Sequence, residues 1–191
     1  VLDNRGVKCW GKNSKGQLGQ GHTNAVGDQG NEMGDDLPEI DLGTGRTALQ
    51  VQCGSEFTCV LLDDQTVKCW GANDNGQLGR SDTAERGGRP NEMGDYLQRT
   101  DLGAGLLVHR LFSNVDYSCV ILTDGTVKCW GGNGFGQLGL GDGASRGHSA
   151  GSMGDALPVA DFTGGTFTPV VDLESSLWLG GGSPGDLAGW S

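Results

Sequence analysis

Three copies of one unit, spaced by 60 residues, constrain this chain more than any other feature of it. Val7-Lys8-Cys9-Trp10-Gly11 returns as Val67-Lys68-Cys69-Trp70-Gly71 and as Val127-Lys128-Cys129-Trp130-Gly131 without a gap. Each copy then reads Gly-Gln-Leu-Gly, from Gly16, Gly76 and Gly136. Further on, Asn31-Glu32-Met33-Gly34-Asp35 recurs as Asn91-Glu92-Met93-Gly94-Asp95 and, altered, as Gly151-Ser152-Met153-Gly154-Asp155. A period of this size means a solenoid, a propeller or an array of small units. Inside the unit, Thr58-Cys59-Val60-Leu61-Leu62 and Thr66-Val67-Lys68-Cys69-Trp70 flank Asp63-Asp64-Gln65. Two short apolar runs around a three-residue loop read as a β-hairpin. The third copy has Thr123-Asp124-Gly125, with glycine where such loops want a left-handed residue; Gln65 departs from that preference. Helices are disfavoured, because 37 of 191 residues are glycine, each costing about 1 kcal/mol in a helix relative to alanine. The expected fold is all-β: a propeller-like repeat array, about three blades of a larger ring.

The hairpin register fixes which cysteines face each other. Pairing about Asp64 joins residues whose numbers sum to 128, which sets Cys59 opposite Cys69; the same rule about Asp124 sets Cys119 opposite Cys129. Directly opposed residues on antiparallel strands stand about 4.5–5.5 Å apart at Cα, within disulfide reach. Cross-strand bridges are therefore expected, the alternative being buried free thiols. Cys9 lacks such a partner, because its counterpart would precede the first residue. Cys53 has Ser113 one period later; it reads as a buried thiol rather than as a partner for Cys9. Paired cysteines point to an oxidising setting: secreted, cell-surface or lumenal.

The motif Val-Lys-Cys-Trp-Gly-x-Asn-x-x-Gly-Gln-Leu-Gly resembles the repeat of the regulator of chromosome condensation family. The likeness runs over roughly Leu2 to Asp161 and includes Leu49-Gln50-Val51-Gln52-Cys53-Gly54, which is similar to the family's apolar strand ending in Cys-Gly. It implies blades of a seven-bladed β-propeller. A cysteine in both hairpin strands, with an inserted Met-Gly-Asp-x-Leu loop, resembles repeats of protist and bacterial proteins rather than the nuclear founder. Phe57 and Tyr117 occupy a position often held by histidine in the family. After Asp161 the pattern decays: Glu174 replaces the expected glycine. The organisation expected is a partial first repeat over 1–54, a second over 55–114, a third over 115–174 with a decaying end, and a glycine-rich tail over 175–191. Three units cannot close a seven-unit ring, so the expectation is a piece of a longer protein, or one whose ends a partner covers.

Charge narrows the partners. A net charge of −11 opposes binding to nucleic acid or anionic lipid and favours a neutral or cationic protein. No apolar run of about 18 residues is present to span a bilayer as a helix. The acids of the inserted loops, Glu32, Asp35, Asp36 and Asp41, then Glu92, Asp95 and Asp101, offer oxygen ligands of the kind calcium takes. Their spacing matches no EF-hand, Ser152 breaks the pattern, and aspartate in a glycine-rich turn commonly accepts bonds from its own backbone; loop structure is the favoured reading, with Leu37, Leu97 and Leu157 pinning each loop. The histidines His22, His109 and His148 fall at different phases of the repeat. Gly181-Gly182-Ser183-Pro184-Gly185 spells a nucleophile elbow but lacks the strand and helix that chemistry needs. Trp10, Trp70 and Trp130 read as packing between blades rather than as stacking platforms, and Lys8, Lys68 and Lys128 as solvated strand-edge residues or local partners of loop acids. No metal, cofactor or catalytic constellation emerges. The function expected is a non-enzymatic scaffold or protein-interaction module, an accessory subunit of an extracellular or lumenal assembly being one form of it. Guanine-nucleotide exchange on a small GTPase is the alternative the resemblance implies, and hydrolysis by loop carboxylates a third.

Overall fold

The computed structural model describes residues 1–161. Strands β1 (Ala48–Cys53), β2 (Phe57–Leu62) and β3 (Val67–Gly71) form one antiparallel sheet in that order. Strands β4 (Val108–Ser113), β5 (Tyr117–Leu122) and β6 (Val127–Gly131) repeat it. An outer segment extends each sheet through a single bridge, Gly71 to Arg86 and Gly131 to Arg146, and the first copy keeps only the corresponding Gly11 to Val26. The inserted loops contain the 3-10 turns Gly34–Asp36, Gly94–Tyr96 and Gly154–Ala156.

The hairpin register is the one the sequence requires: Cys59 faces Cys69 between β2 and β3, and Cys119 faces Cys129 between β5 and β6. The sulfurs of both pairs stand at disulfide distance, with Cα atoms 4.1 Å apart. Gln65 takes the left-handed conformation, φ +61°, that Gly125 adopts at +85°.

Alternation along β2 sends its two faces to different neighbours. Val60 and Leu62 pack with Trp70, Val7, Ile40 and Leu42 toward the first repeat. Phe57, Cys59 and Leu61 pack with Leu111, Val120 and Trp130 toward the third. The sheets therefore stack face on face, as blades do. Trp70 and Trp130 are fully buried, and their indole N–H groups donate to the Gln17 and Gln77 carbonyls of the preceding repeat at 3.0 and 2.9 Å. This is the interblade packing expected of them; Trp10 by contrast is 60% exposed. Leu37, Leu97 and Leu157 are buried, as expected of loop anchors.

The motif asparagine is a buried clamp. Asn73 donates to the carbonyls of Asp82 and Ala84 and accepts from Leu78 N at 3.0 Å. Asn13 and Asn133 do the same in their own copies.

Two expectations are corrected. Lys68 and Lys128 are not solvated: each is buried, its ammonium donating to two carbonyls, Leu42 and Gly94 for Lys68 (2.9 and 2.8 Å), Leu102 and Gly154 for Lys128 (2.7 and 3.0 Å). The carbonyls come from adjacent repeats, so each lysine staples two loops together. Burial pushes the Lys68 ammonium below its ordinary pKa, with Asp95 pulling the other way. Cys53 is exposed rather than buried, because it ends β1 at the sheet margin.

Candidate interaction face

The inserted-loop acids prove to be structural groups with named partners. Glu32 accepts from the backbone N–H of Gly27 and Gln29 at 2.8 and 3.0 Å; Glu92 accepts from Gly88 and Arg89, both at 3.1 Å. In the third repeat the Ser152 hydroxyl takes over, accepting from Gly147 N at 3.0 Å, which explains how serine substitutes for glutamate. Asp95 does not fold back on its own turn. It reaches the preceding repeat, accepting from Thr44 N at 2.9 Å and the Thr44 hydroxyl at 2.6 Å, and Asp155 accepts from Ala104 N at 3.1 Å. Those Thr44 bonds hold the Asp95 carboxyl below its ordinary value. Asp35, Asp36, Asp41 and Asp101 lie on the same loops; Asp41 and Asp101 accept from Gly43 and Gly103 N within their own turns. Among the described residues, no three His, Cys, Asp or Glu side chains gather closely enough to hold a metal ion. The Gly181–Gly185 spelling and the tail over 175–191 lie outside the described residues.

The place where the repeats differ most is a cleft of about 910 Å³ between the second and third units, formed by the loops around residues 44–46, 64–68 and 95–107. Asp64 sits in it between two arginines: Arg46 Nη1 lies 2.8 Å and Arg99 Nη2 2.6 Å from Asp64 Oδ2. Its other oxygen accepts from the Thr66 hydroxyl at 2.6 Å. Partial burial works against ionisation of Asp64, but the Thr66 bonds and the two guanidiniums outweigh it and hold the carboxyl below its ordinary value. The same positions read differently in the other copies. In the first, Asn4 donates to Glu39 at 3.0 Å; in the third, Val159 and Leu106 stand where Arg99 and Arg46 stand in the second. One scaffold position thus carries an amide–carboxylate pair, an Arg–Asp–Arg cluster and an apolar pair in succession. The sequence reading missed this cluster, because residues 46, 64 and 99 converge only when two repeats stack; the missing signal was the absence of recurrence at 39, 99 and 159.

Short antiparallel sheets stacked face on face, each tied to the next by a tryptophan and a lysine, define an array of β-propeller type. The comparisons agree. The description "Regulator of chromosome condensation (RCC1) repeat" matches residues 7–61 and, in a second form, residues 49–77 and 109–137. The ultraviolet-B receptor UVR8 of Arabidopsis thaliana is 28% identical over 140 residues, covering 73% of this chain and 28% of that protein. The human E3 ubiquitin-protein ligase HERC2 is 32% identical over 145 residues, 74% of this chain and 3% of its own length. Among solved structures, human WBSCR16 superposes with a TM-score of 0.60 at 23% identity, over 85% of this chain and 36% of that one. Prp20p of Saccharomyces cerevisiae gives 0.58 at 14% identity, over 85% of this chain and 36% of that one. The chain belongs to the regulator of chromosome condensation repeat family, and it spans less than a third of either of these two relatives.

Proposed function

We propose that the chain is a non-enzymatic protein-interaction module whose contact surface is the loop face around Arg46, Asp64 and Arg99. One observation carries the reading: the side chains that recur at period 60 are used up in holding blades together, whereas positions 39, 46, 99 and 159 vary on a common scaffold. In repeat folds, function resides in the loops that differ. Net charge −11 selects against nucleic acid and anionic lipid, leaving a neutral or cationic protein, or further repeats of the same kind, as the partner. Two cysteine pairs at disulfide distance suit an assembly in an oxidising compartment, extracellular or lumenal. Among the described residues no helix is long and apolar enough to cross a membrane.

The test is quantitative capture from native extract with the wild-type chain and with Arg99→Glu combined with Leu107→Ala, both at partly exposed positions. Loss of specific partners with an unchanged melting temperature is expected; an unchanged partner set refutes the assignment of this face. A second reading, guanine-nucleotide exchange on a small GTPase, draws on the yeast neighbour, whose title names binding to Gsp1p and histones. Acceleration of nucleotide release from a small GTPase by this chain would replace the first reading with the second.

A further inference from the structure

The first repeat presents an open sheet edge whose imprint identifies what fits it. In the second repeat, Lys68 and Trp70 on β3 pair with Val60 and Thr58 on β2. Lys8 and Trp10, one period earlier, have no backbone hydrogen bond to any described residue. Beside them lies a cleft of about 420 Å³, lined by Val7, Cys9, Leu18, Val51 and Phe57, with Cys53 at its rim. The counterparts of the first four, Val67, Cys69, Leu78 and Leu111, form the pocket into which Phe57, Cys59 and Leu61 of β2 pack. The cleft therefore has the apolar lining of a strand-binding groove, an unpaired backbone edge beside it, and a free thiol at its centre.

We propose that this edge binds an extended strand of the pattern aromatic–Ser/Thr–Cys–Val–aliphatic–aliphatic, presented by a separate polypeptide and running antiparallel to residues 7–11 with its cysteine opposite Cys9. Phe57–Leu62 and Tyr117–Leu122 fill the equivalent place in the other repeats and define that pattern. Main-chain bonds to Lys8 and Trp10 supply affinity, and the alternating aromatic, cysteine and aliphatic side chains supply specificity by entering the cleft. The opposed Cys59 and Cys69, at 4.1 Å, form the close pair of an antiparallel ladder, so the ladder bonds fall at the flanking threonine and valine of the added strand. The inference stands apart from the loop face proposed above, which lies between the second and third repeats.

The test uses the 191-residue chain and a synthetic peptide carrying the Phe57–Leu62 sequence between lysine tails. In one form its cysteine is a mixed disulfide with thionitrobenzoate. Attack by the Cys9 thiolate on the peptide sulfur then forms a protein–peptide disulfide and releases thionitrobenzoate, read at its visible absorbance. A control peptide with cysteine and valine exchanged turns the sulfur to the opposite face. The expected result is capture at least tenfold faster with the native order, mapped to Cys9, lost in Cys9→Ser and retained in Cys53→Ser. Equal rates for the two peptides, or capture on Cys53, overturns the proposal. A second form with serine for cysteine should raise the melting temperature of the chain, and N-methylation at its threonine and valine nitrogens should cancel the gain; no gain with the serine peptide likewise overturns it.

Discussion

Lys68→Met is the sharpest test of how neighbouring repeats are joined. The ammonium donates to Leu42 and Gly94 carbonyls at 2.9 and 2.8 Å, one on each side of the repeat boundary, and the side chain is 6% exposed. Hydrogen bonds to charged groups contribute about 1.5–3 kcal/mol each. Against them stands the desolvation of a buried ammonium, several kcal/mol, which methionine would remove while keeping most of the stem's packing. Methionine would also leave two carbonyls without a donor, at about 1–3 kcal/mol each where water cannot reach them. The balance predicts a net loss of about 2–4 kcal/mol. Lys8→Met provides the internal reference: its ammonium bonds only Gly34 O at 2.7 Å in a more exposed setting, and water can replace it, so the loss should stay below about 1 kcal/mol. Urea unfolding followed by tryptophan fluorescence gives both values. Equal losses for the two variants, or a stabilised Lys68→Met, would refute the idea that the buried lysine joins repeats.

Three further outcomes follow from individual contacts. Gly76 and Gly136 have nearly the same φ, +80° and +76°, but a Cβ at 76 would meet His148 N at 2.3 Å whereas one at 136 meets nothing within 4 Å; Gly76→Ala should therefore lower the melting temperature well beyond Gly136→Ala, and equal shifts would deny the close approach. Gln65→Gly relieves a left-handed residue in the hairpin loop and should stabilise by up to about 1 kcal/mol in the same urea assay. For Asp95, bonds from Thr44 depress the folded carboxyl value, so its contribution is complete above the ordinary value of about 4 and is lost as pH falls through the folded value; the melting-temperature gap between wild type and Asp95→Asn should close below about pH 4, and a gap that widens there would contradict the assignment.

How much of this was legible in the sequence depends on the range of the contacts. The hairpin register, the cysteine pairing geometry and the tryptophan packing all follow from local alternation and a period of 60, and the structure reproduces the register residue for residue. The lysines were misread because the cue used was net charge, whereas their environment is set by Gly94 and Leu42 carbonyls that lie 26 residues away on either side. Cys53 was misread for a similar reason: its strand is apolar, but it sits at the strand's end, where the sheet margin leaves it exposed. The Arg46–Asp64–Arg99 cluster was invisible because no two of its members are neighbours in sequence and only stacking brings them together. The inserted-loop acids looked like ligands in isolation; only the structure shows Asp95 committed to the preceding turn.

The central claim is that a single 60-residue unit repeats with its own cross-strand cysteine pair and leaves Cys9 and Cys53 outside the pattern. Peptide mapping of the native, unreduced chain after blocking free thiols tests it most directly. The account predicts linked peptides Cys59–Cys69 and Cys119–Cys129 with Cys9 and Cys53 carrying the blocking group. Recovery of all six cysteines blocked, or linkage of Cys59 or Cys69 to any cysteine outside its own hairpin, would contradict it.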